Sequence, residues 1–278
     1  MIREALARAT ALFAGVSGSA RLDAEVLLAY VLGIERGQLR AREAQPLTKA
    51  EAHAFERLLA ARARGEPIAY LIGSREFWTL RLEVSAAVLV PRPETELLVE
   101  LALEGLKSRA RPRVLDLGTG SGAIGLAIAS ERPDARVDLV DASAAALAVA
   151  ERNRARLGLG NARTLLGHWY RPVAGSRYAL IVANPPYLSS TDPHLATAEL
   201  AHEPVAALVA GTTGLESLEE IARGAPGHLE AGGVLLLEHG ATQGAATRAL
   251  MARAGLEAIE TRRDLAGLER ATLGVLAG

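Results

Sequence analysis

The segment Asn184-Pro185-Pro186-Tyr187 combines groups that could hold a planar amino or amide nitrogen. The Asn184 side-chain carbonyl and the Pro185 backbone carbonyl offer two hydrogen-bond acceptors in a turn made rigid by its prolines, and Tyr187 offers a flat aromatic face. Such a nitrogen is a poor nucleophile because its lone pair is delocalised. Two acceptors that take its hydrogens favour the tetrahedral, nucleophilic form. The pattern therefore predicts Asn184, Pro185 and Tyr187 as catalytic residues of an acceptor site for nitrogen.

A glycine-rich loop, Gly118-Thr119-Gly120-Ser121-Gly122, follows the apolar segment Val114–Leu117 and precedes a helical pattern. Glycines let the backbone turn sharply and approach a ligand, and a helix start offers free N–H groups. Asp141 lies 23 residues after Gly118, at the end of the next expected strand. A carboxylate at that place can accept both ribose hydroxyls of a nucleoside. These residues predict a site for an adenosine-containing cofactor.

The glycine loop alone leaves two cofactors open. Gly120, Gly122 and Gly125 also fit the dinucleotide pattern G-x-G-x-x-G, which is typical of dehydrogenases. Asp116 fits a methyltransferase better, because an acid before the loop could anchor it and help to hold the methionine amine of S-adenosylmethionine. A dehydrogenase has no use for the Asn-Pro-Pro-Tyr segment, which therefore favours S-adenosylmethionine as the cofactor.

The elements that must position these residues follow from hydrophobic periodicity. From Arg113 onwards, strand and helix patterns alternate, which predicts an α/β fold with an open, mostly parallel sheet and helices on both faces. Strands are expected at Val114–Leu117, Arg136–Val140, Ala162–Leu166, Ala179–Ala183 and Val234–Glu238. Two closing strands, Leu256–Thr261 and Ala271–Val275, are too close together for a crossover helix, so one antiparallel strand is expected at the end.

Three regions differ in pattern. Residues 1–72 show helical spacing only and predict a small all-helical N-terminal domain that docks the substrate. Residues 73–93 contain two short alternating runs and predict a β-hairpin linker. Residues 94–278 contain both motifs and the strand–helix alternation, so we expect a methyltransferase domain there.

Composition narrows the class of protein. The chain has no cysteine, which excludes disulfides and thiolate metal sites and suits a cytoplasmic protein. It lacks an N-terminal apolar stretch typical of a signal peptide. Its six histidines are scattered, so no metal is expected. Residues 76–278 carry 20 basic and 24 acidic side chains, and aromatic residues make up 4% of the chain. We therefore expect neither a membrane nor a stable nucleic-acid partner.

Several segments together resemble the release-factor glutamine methyltransferases. They are Pro91–Glu96, Asp116–Ala123, Asn184–Tyr187 and Leu237–Gly240, and the resemblance extends to Pro67–Trp78, so it covers nearly the whole chain. The family implies a Rossmann-like class I methyltransferase fold. It also implies methylation of the side-chain amide nitrogen of the glutamine in the Gly-Gly-Gln motif of class I peptide chain release factors. S-adenosylmethionine is then the methyl donor and S-adenosylhomocysteine the product.

Carried over position by position, the resemblance implies two groups of site residues. The cofactor-binding group is Gly118, Thr119, Gly120, Ser121, Gly122, Asp141, Trp169 and Asn184. The substrate-binding group is Asn184, Pro185, Pro186, Tyr187, Arg92, Pro93, Thr95 and Glu96. The chain departs from many relatives at His168, where they have an acid, and at His202, where they have an aromatic residue.

Two other functions share parts of this pattern. An amino methyltransferase acting on adenine or cytosine in DNA or RNA would have the same two motifs, but it normally needs a basic, aromatic-rich face for a flipped base. A non-catalytic cofactor-binding scaffold is disfavoured by the intact Asn184. Among the acidic residues, Asp192 and Glu199 are interpreted as loop and cap residues. For Glu238, a structural role beside the motif and direct contact with the ligand are equally favoured.

Overall fold

The computed structural model describes residues 1–197 and 200–278, so Glu199 lies outside the described residues. The chain forms two compact units. The first contains Met1–Ser74 together with Pro193–His202, and the second contains Arg75–Asp192 together with Glu203–Gly278. In the described part of the chain, no helix is long and apolar enough to cross a membrane.

The first unit is built from helices. They are α1 (Ile2–Phe13), α2 (Ala20–Leu32), α3 (Lys49–Ala63) and α4 (Ile68–Ile72). Their apolar faces enclose a core that includes the fully buried Leu6, Phe13 and Phe55. A buried ion pair joins α2 to α3, with 2.9 Å between Arg62 and Asp23.

A hairpin that starts at the boundary between the units leads into the seven-stranded sheet of the second unit. The hairpin strands are β1 (Ser74–Phe77) and β2 (Leu80–Glu83). The sheet strands are β3 (Arg113–Leu117), β4 (Arg136–Asp141), β5 (Ala162–Leu166), β6 (Tyr178–Ala183), β9 (Leu229–Glu238), β10 (Leu256–Arg263) and β11 (Glu269–Leu276). The helices are α5 (Glu96–Gly105), α6 (Ala123–Glu131), α7 (Ala144–Leu157), α8 (Glu216–Gly224) and α9 (Gly244–Arg253).

The strand order across the sheet is β10-β11-β9-β6-β3-β4-β5. The five strands from β9 to β5 are parallel, whereas β11 runs antiparallel to both β9 and β10. The predicted fold class is confirmed, including the antiparallel closing strand. Because β3 pairs with β4 on one side and β6 on the other, the strand order reverses at β3, where ligands bind in open sheets of this kind.

A short parallel pair, β7 (Leu188–Ser189) with β8 (Val209–Gly211), is absent from the sequence-based expectations. Two or three residues are too few to show an alternating pattern. The pair fixes the chain directly after Tyr187 against a segment about 20 residues later.

Candidate active site

A cavity of about 570 Å³ opens at the carboxyl ends of β3, β4 and β6. This volume lies within the range of small-molecule and cofactor sites, about 300–1,000 Å³. Of the predicted site residues, the cavity is lined by Arg92, Thr95, Gly118, Thr119, Gly120, Ser121, Asp141, Trp169, Asn184 and Pro186. Five others are absent from its lining: Pro93, Glu96, Gly122, Pro185 and Tyr187. The structure thus brings both sequence motifs to one cavity.

Asp116, at the end of β3, holds the glycine loop in place by hydrogen bonds. One carboxylate oxygen accepts from the Thr119 hydroxyl at 2.6 Å and from the Gly125 backbone N–H at 2.9 Å. Gly125 has to be small here, since a Cβ would lie 2.1 Å from the Leu139 side chain. Burial raises the pKa of Asp116 to about 6, and the nearby negative charge of Asp141 adds to that rise. The third glycine of the dinucleotide-like pattern therefore serves packing.

Asp141, at the end of β4, is held in place by backbone donors. One carboxylate oxygen accepts from Gly120 N at 2.9 Å and the other from Ser143 N at 2.8 Å. A carboxylate has about four lone-pair sites, so each oxygen keeps one for a ligand in the cavity. The hydrogen bond from Gly120 N therefore both fixes the glycine loop and orients the Asp141 carboxylate.

Trp169 lies beside the glycine loop with its backbone in the left-handed region, at φ 45°. A non-glycine residue in that region costs about 1–2 kcal/mol, so the surrounding structure maintains the conformation. A Cβ on Gly118 would lie 3.4 Å from the Trp169 ring. His168 also lines the cavity, and its Nδ1 lies 3.5 Å from a Glu220 carboxylate oxygen.

Asn184 follows β6 and presents its side chain to the cavity. Its amide nitrogen donates to the Thr95 hydroxyl at 3.2 Å. Among the described residues, no group donates to the Asn184 side-chain carbonyl or to the Pro185 backbone carbonyl. The Asn184 carbonyl, on the cavity wall, is therefore available for a ligand, and the Pro185 carbonyl has no competing donor.

Tyr187 is half-buried behind this turn. Its backbone carbonyl accepts from the Gln243 side-chain amide at 2.9 Å, and the Gln243 carbonyl accepts from Gly240 N at 2.9 Å. Burial raises the pKa of Tyr187 to about 12. Glu96 also turns away from the cavity, since its carboxylate accepts from the Trp78 backbone N–H at 2.8 Å.

Glu203 is a site residue that sequence reasoning missed. Its side chain is 1% exposed, and it accepts from Val90 N at 3.0 Å and from the Arg92 guanidinium. These contacts fix the Pro91-Arg92 side of the cavity to Pro204, which also lines it. The only local signal was the Glu203-Pro204 dipeptide, which does not reveal a partner more than 100 residues away.

Replacing Glu203 by alanine should lower the free energy of unfolding by about 2 kcal/mol, because the buried Val90 N–H loses its acceptor. Glu230→Ala is the matched control, since Glu230 forms a half-exposed pair with Arg109 at 3.4 Å. Exposed pairs contribute about 1 kcal/mol or less. Chemical denaturation measures both values, and equal losses for the two variants would contradict the anchoring role of Glu203.

The cavity fits an S-adenosylmethionine-type cofactor on its own chemistry. Asp141 offers carboxylate lone pairs for hydroxyl donors, and the Trp169 ring offers an apolar surface. At Gly120 an added Cβ would meet nothing within 4 Å, so bare backbone borders open space there. A dinucleotide site would not require Asn184 on the same wall.

Comparisons with known proteins identify the family of the chain. Residues 4–73 match the family model described as PrmC N-terminal domain, and residues 94–213 match the Methyltransferase small domain. The chain is 51% identical to a release factor glutamine methyltransferase of Xylella fastidiosa over 93% of this chain and 94% of the relative. It is 45% identical to the Escherichia coli protein of the same name, over 98% and 96% of the two chains.

A solved methyltransferase from Pyrococcus furiosus shares the fold at 16% identity, with a TM-score of 0.55 over 79% of this chain and 99% of that one. The identities to the curated relatives, over nearly their full length, decide the family. The chain belongs to the release factor glutamine methyltransferases, which confirms both the resemblance and the predicted class of enzyme.

Proposed function

We propose that this member of the family methylates the side-chain amide nitrogen of the glutamine in the Gly-Gly-Gln motif of class I peptide chain release factors. The observation that carries the proposal is the Asn184 side chain. It is held by Thr95 with its carbonyl oxygen free, on the wall of the cavity that also contains the glycine loop and Asp141.

The cofactor proposed for this cavity is S-adenosylmethionine. When bound, it supplies an electrophilic methyl group on a sulfonium centre. Asp141 would hold the ribose hydroxyls, the loop Gly118–Gly122 would follow the cofactor with its backbone, and the Trp169 ring would contact the adenine. Asn184 would lie at the junction between the cofactor and the target nitrogen.

The acceptor residues activate the target by hydrogen bonding. The Asn184 and Pro185 carbonyl oxygens accept the two hydrogens of the amide nitrogen, which favours a tetrahedral nitrogen with a localised lone pair. They also hold this nitrogen in one orientation, which reduces the entropic cost of reaching the reactive geometry. The proton that the nitrogen must lose needs no strong base, because it becomes acidic once the nitrogen carries the methyl group.

Arg92, Pro186 and Thr95 line the side of the cavity on which the substrate would enter. Glu203 holds Arg92 in place. We propose that this wall receives the peptide backbone around the target glutamine, with the Tyr187 ring supporting the turn from behind. Pro93 and Glu96 would act indirectly, since neither lines the cavity.

The alternative acceptor is an adenine or cytosine amino group in nucleic acid, which presents the same planar nitrogen. The identity to named release factor methyltransferases over nearly the whole chain favours the protein substrate. The second unit carries no excess of basic side chains that would favour a nucleic-acid backbone.

The helical N-terminal unit is proposed to dock the release factor. A shortened protein that begins at Gly73 should bind S-adenosylmethionine with unchanged affinity. Its kcat/KM on intact release factor should fall by about tenfold or more, equivalent to about 1.4 kcal/mol of lost transition-state binding. A short Gly-Gly-Gln peptide serves as the control substrate, because it has no surface for docking and should be methylated equally by both forms. Full activity of the shortened protein on the intact factor would exclude the docking role.

A further inference from the structure

Three polar side chains follow one another inwards from the cavity. The Asn184 amide nitrogen donates to the Thr95 hydroxyl at 3.2 Å. The Thr95 hydroxyl in turn faces the Glu238 carboxylate, whose pKa it lowers as a hydrogen-bond donor. Thr95 is 4% exposed and Glu238 is 2% exposed. Glu238 does not line the cavity, so it makes no direct contact with a ligand there.

The charge of Glu238 determines the direction of these hydrogen bonds. An ionised carboxylate can only accept, so the Thr95 hydroxyl must donate its single proton to Glu238. The Thr95 oxygen is then left with lone pairs only, and it can bind the NH2 end of Asn184 but not the carbonyl end. This order directs the Asn184 carbonyl oxygen towards the cavity.

A protonated Glu238 removes that restriction. The neutral acid can donate to Thr95, and the hydroxyl proton of Thr95 is then free to point towards Asn184. The Asn184 amide could turn over and present its NH2 group to the cavity. Two NH2 groups facing each other cannot hydrogen-bond, so a turned Asn184 would repel the target nitrogen.

We propose that Glu238 is a positioning residue that acts through Thr95 to fix the orientation of the Asn184 amide, so that its carbonyl oxygen faces the nitrogen to be methylated. This inference rests on the proposed function, since it assigns a role within the same acceptor site. It also accounts for a buried acid at the end of β9 that the hydrogen-bonding of the sheet does not require.

The surroundings of Glu238 agree with this role. Within the described residues, no cation lies within ion-pair distance of its carboxylate, and one carboxylate oxygen is buried without any donor. An unpaired buried carboxylate is costly, and a neutral residue of similar size would pack at lower cost. An acid at this place is therefore explained by its charge rather than by its packing.

Burial raises the pKa of Glu238 to about 7, and the negative charge of Glu94 adds to that rise. The Thr95 hydrogen bond and the positive charges of Arg270 and Arg92 oppose it. Tyr187, which lies near the Glu238 charge, stays neutral in this range because its pKa is raised to about 12. His239, the next residue along the chain, is also neutral near pH 7 because burial lowers its pKa. Only the ionised form of Glu238 fixes the orientation of the Asn184 amide. Turnover should therefore rise as the pH increases through about 7.

Steady-state kinetics at saturating S-adenosylmethionine test the inference. Thr95→Val removes the hydroxyl at nearly constant volume and should lower kcat by about tenfold, with little change in cofactor affinity. Thr95→Ser restores the hydroxyl and should recover most of the lost turnover. Glu238→Gln should abolish the rise of kcat near pH 7, whereas Glu230→Gln, on the same strand, should keep the wild-type profile. A Glu238→Gln enzyme that kept the same rise in kcat near pH 7 would contradict the inference.

A second measurement needs no substrate. The chain has only three asparagines, at positions 153, 161 and 184. Labelling with 15N-asparagine therefore gives three side-chain amide signals, and that of Asn184 is assigned by its loss in Asn184→Asp. This signal should titrate with a midpoint near pH 7 in the wild-type protein and stay constant in Glu238→Gln.

The two measurements separate the possible failures. If the Asn184 signal titrates but no release factor is methylated, the proposed function is wrong and the positioning role of Glu238 stands. If release factor is methylated but neither the Asn184 signal nor the pH profile depends on Glu238, the positioning role is wrong and the function stands.

Discussion

Asn184→Ala is expected to lower kcat on a release factor by about a hundred- to a thousand-fold. Removal of one preorganised acceptor from a transition state costs about 2.7–4 kcal/mol, and the Asn184 carbonyl is such an acceptor, free on the cavity wall. Its interaction with the target strengthens as the nitrogen becomes tetrahedral. The loss should therefore appear in kcat rather than in binding alone.

Two controls make this measurement specific. The Kd of S-adenosylmethionine should change much less than kcat, because Asp141 and the glycine loop remain in place. Asn184→Asp keeps an acceptor oxygen, so its kcat should lie between those of the wild type and the alanine variant. Near-normal turnover of Asn184→Ala would remove the Asn-Pro-Pro-Tyr segment from the acceptor site.

Asp141→Ala is expected to raise the Kd of S-adenosylmethionine by roughly a hundredfold, or about 3 kcal/mol. Two hydrogen bonds from ribose hydroxyls to a charged acceptor account for this loss, at about 1.5–3 kcal/mol each. Asp141 also accepts from Gly120 N at 2.9 Å, so its removal loosens the glycine loop as well.

Isothermal titration calorimetry measures this Kd directly. Asp141→Asn serves as the control, because the amide keeps one acceptor oxygen and should bind more tightly than the alanine variant. Thermal unfolding of the free protein shows whether the fold is intact. If a folded Asp141→Ala protein bound S-adenosylmethionine as the wild type does, the acid would have no part in the cofactor site.

The order of the main elements could be predicted from local pattern because each element carries its own periodicity. The strand β6, Tyr178–Ala183, is a continuous buried run that ends at Asn184, and its fully apolar sequence is typical of a parallel strand covered on both faces. That pattern also predicted that the acceptor segment lies at the carboxyl end of this strand. The antiparallel closing strand followed from the short spacing between β10 and β11.

The contacts that orient the site could not be predicted in the same way. Glu203 binds Val90 across 113 positions of the chain, and Gln243 binds the Tyr187 carbonyl across 56. Neither residue has a local spacing that marks it. The hydrogen bond from Asn184 to Thr95 spans 89 positions, so its partner becomes evident only when the sheet brings the two segments together.

For the same reason, sequence pattern located some of the predicted site residues better than others. Glycine-loop residues and Asp141 are neighbours through the register of β3 and β4, which sequence pattern already suggests. The direction in which a side chain points does not follow from such a pattern. Glu96 belongs to a segment that borders the cavity, yet its carboxylate binds the Trp78 backbone because the hairpin packs against that side.

The most direct test of the proposed function offers the wild-type protein two acceptors at once. Methyl-labelled S-adenosylmethionine is incubated with the protein and equimolar amounts of a class I release factor and duplex DNA, and the position of the label is found by mass spectrometry. We expect the label on the side-chain amide nitrogen of the Gly-Gly-Gln glutamine and none on the DNA. Label on adenine or cytosine, or on a different residue of the release factor, would contradict the assignment of the substrate.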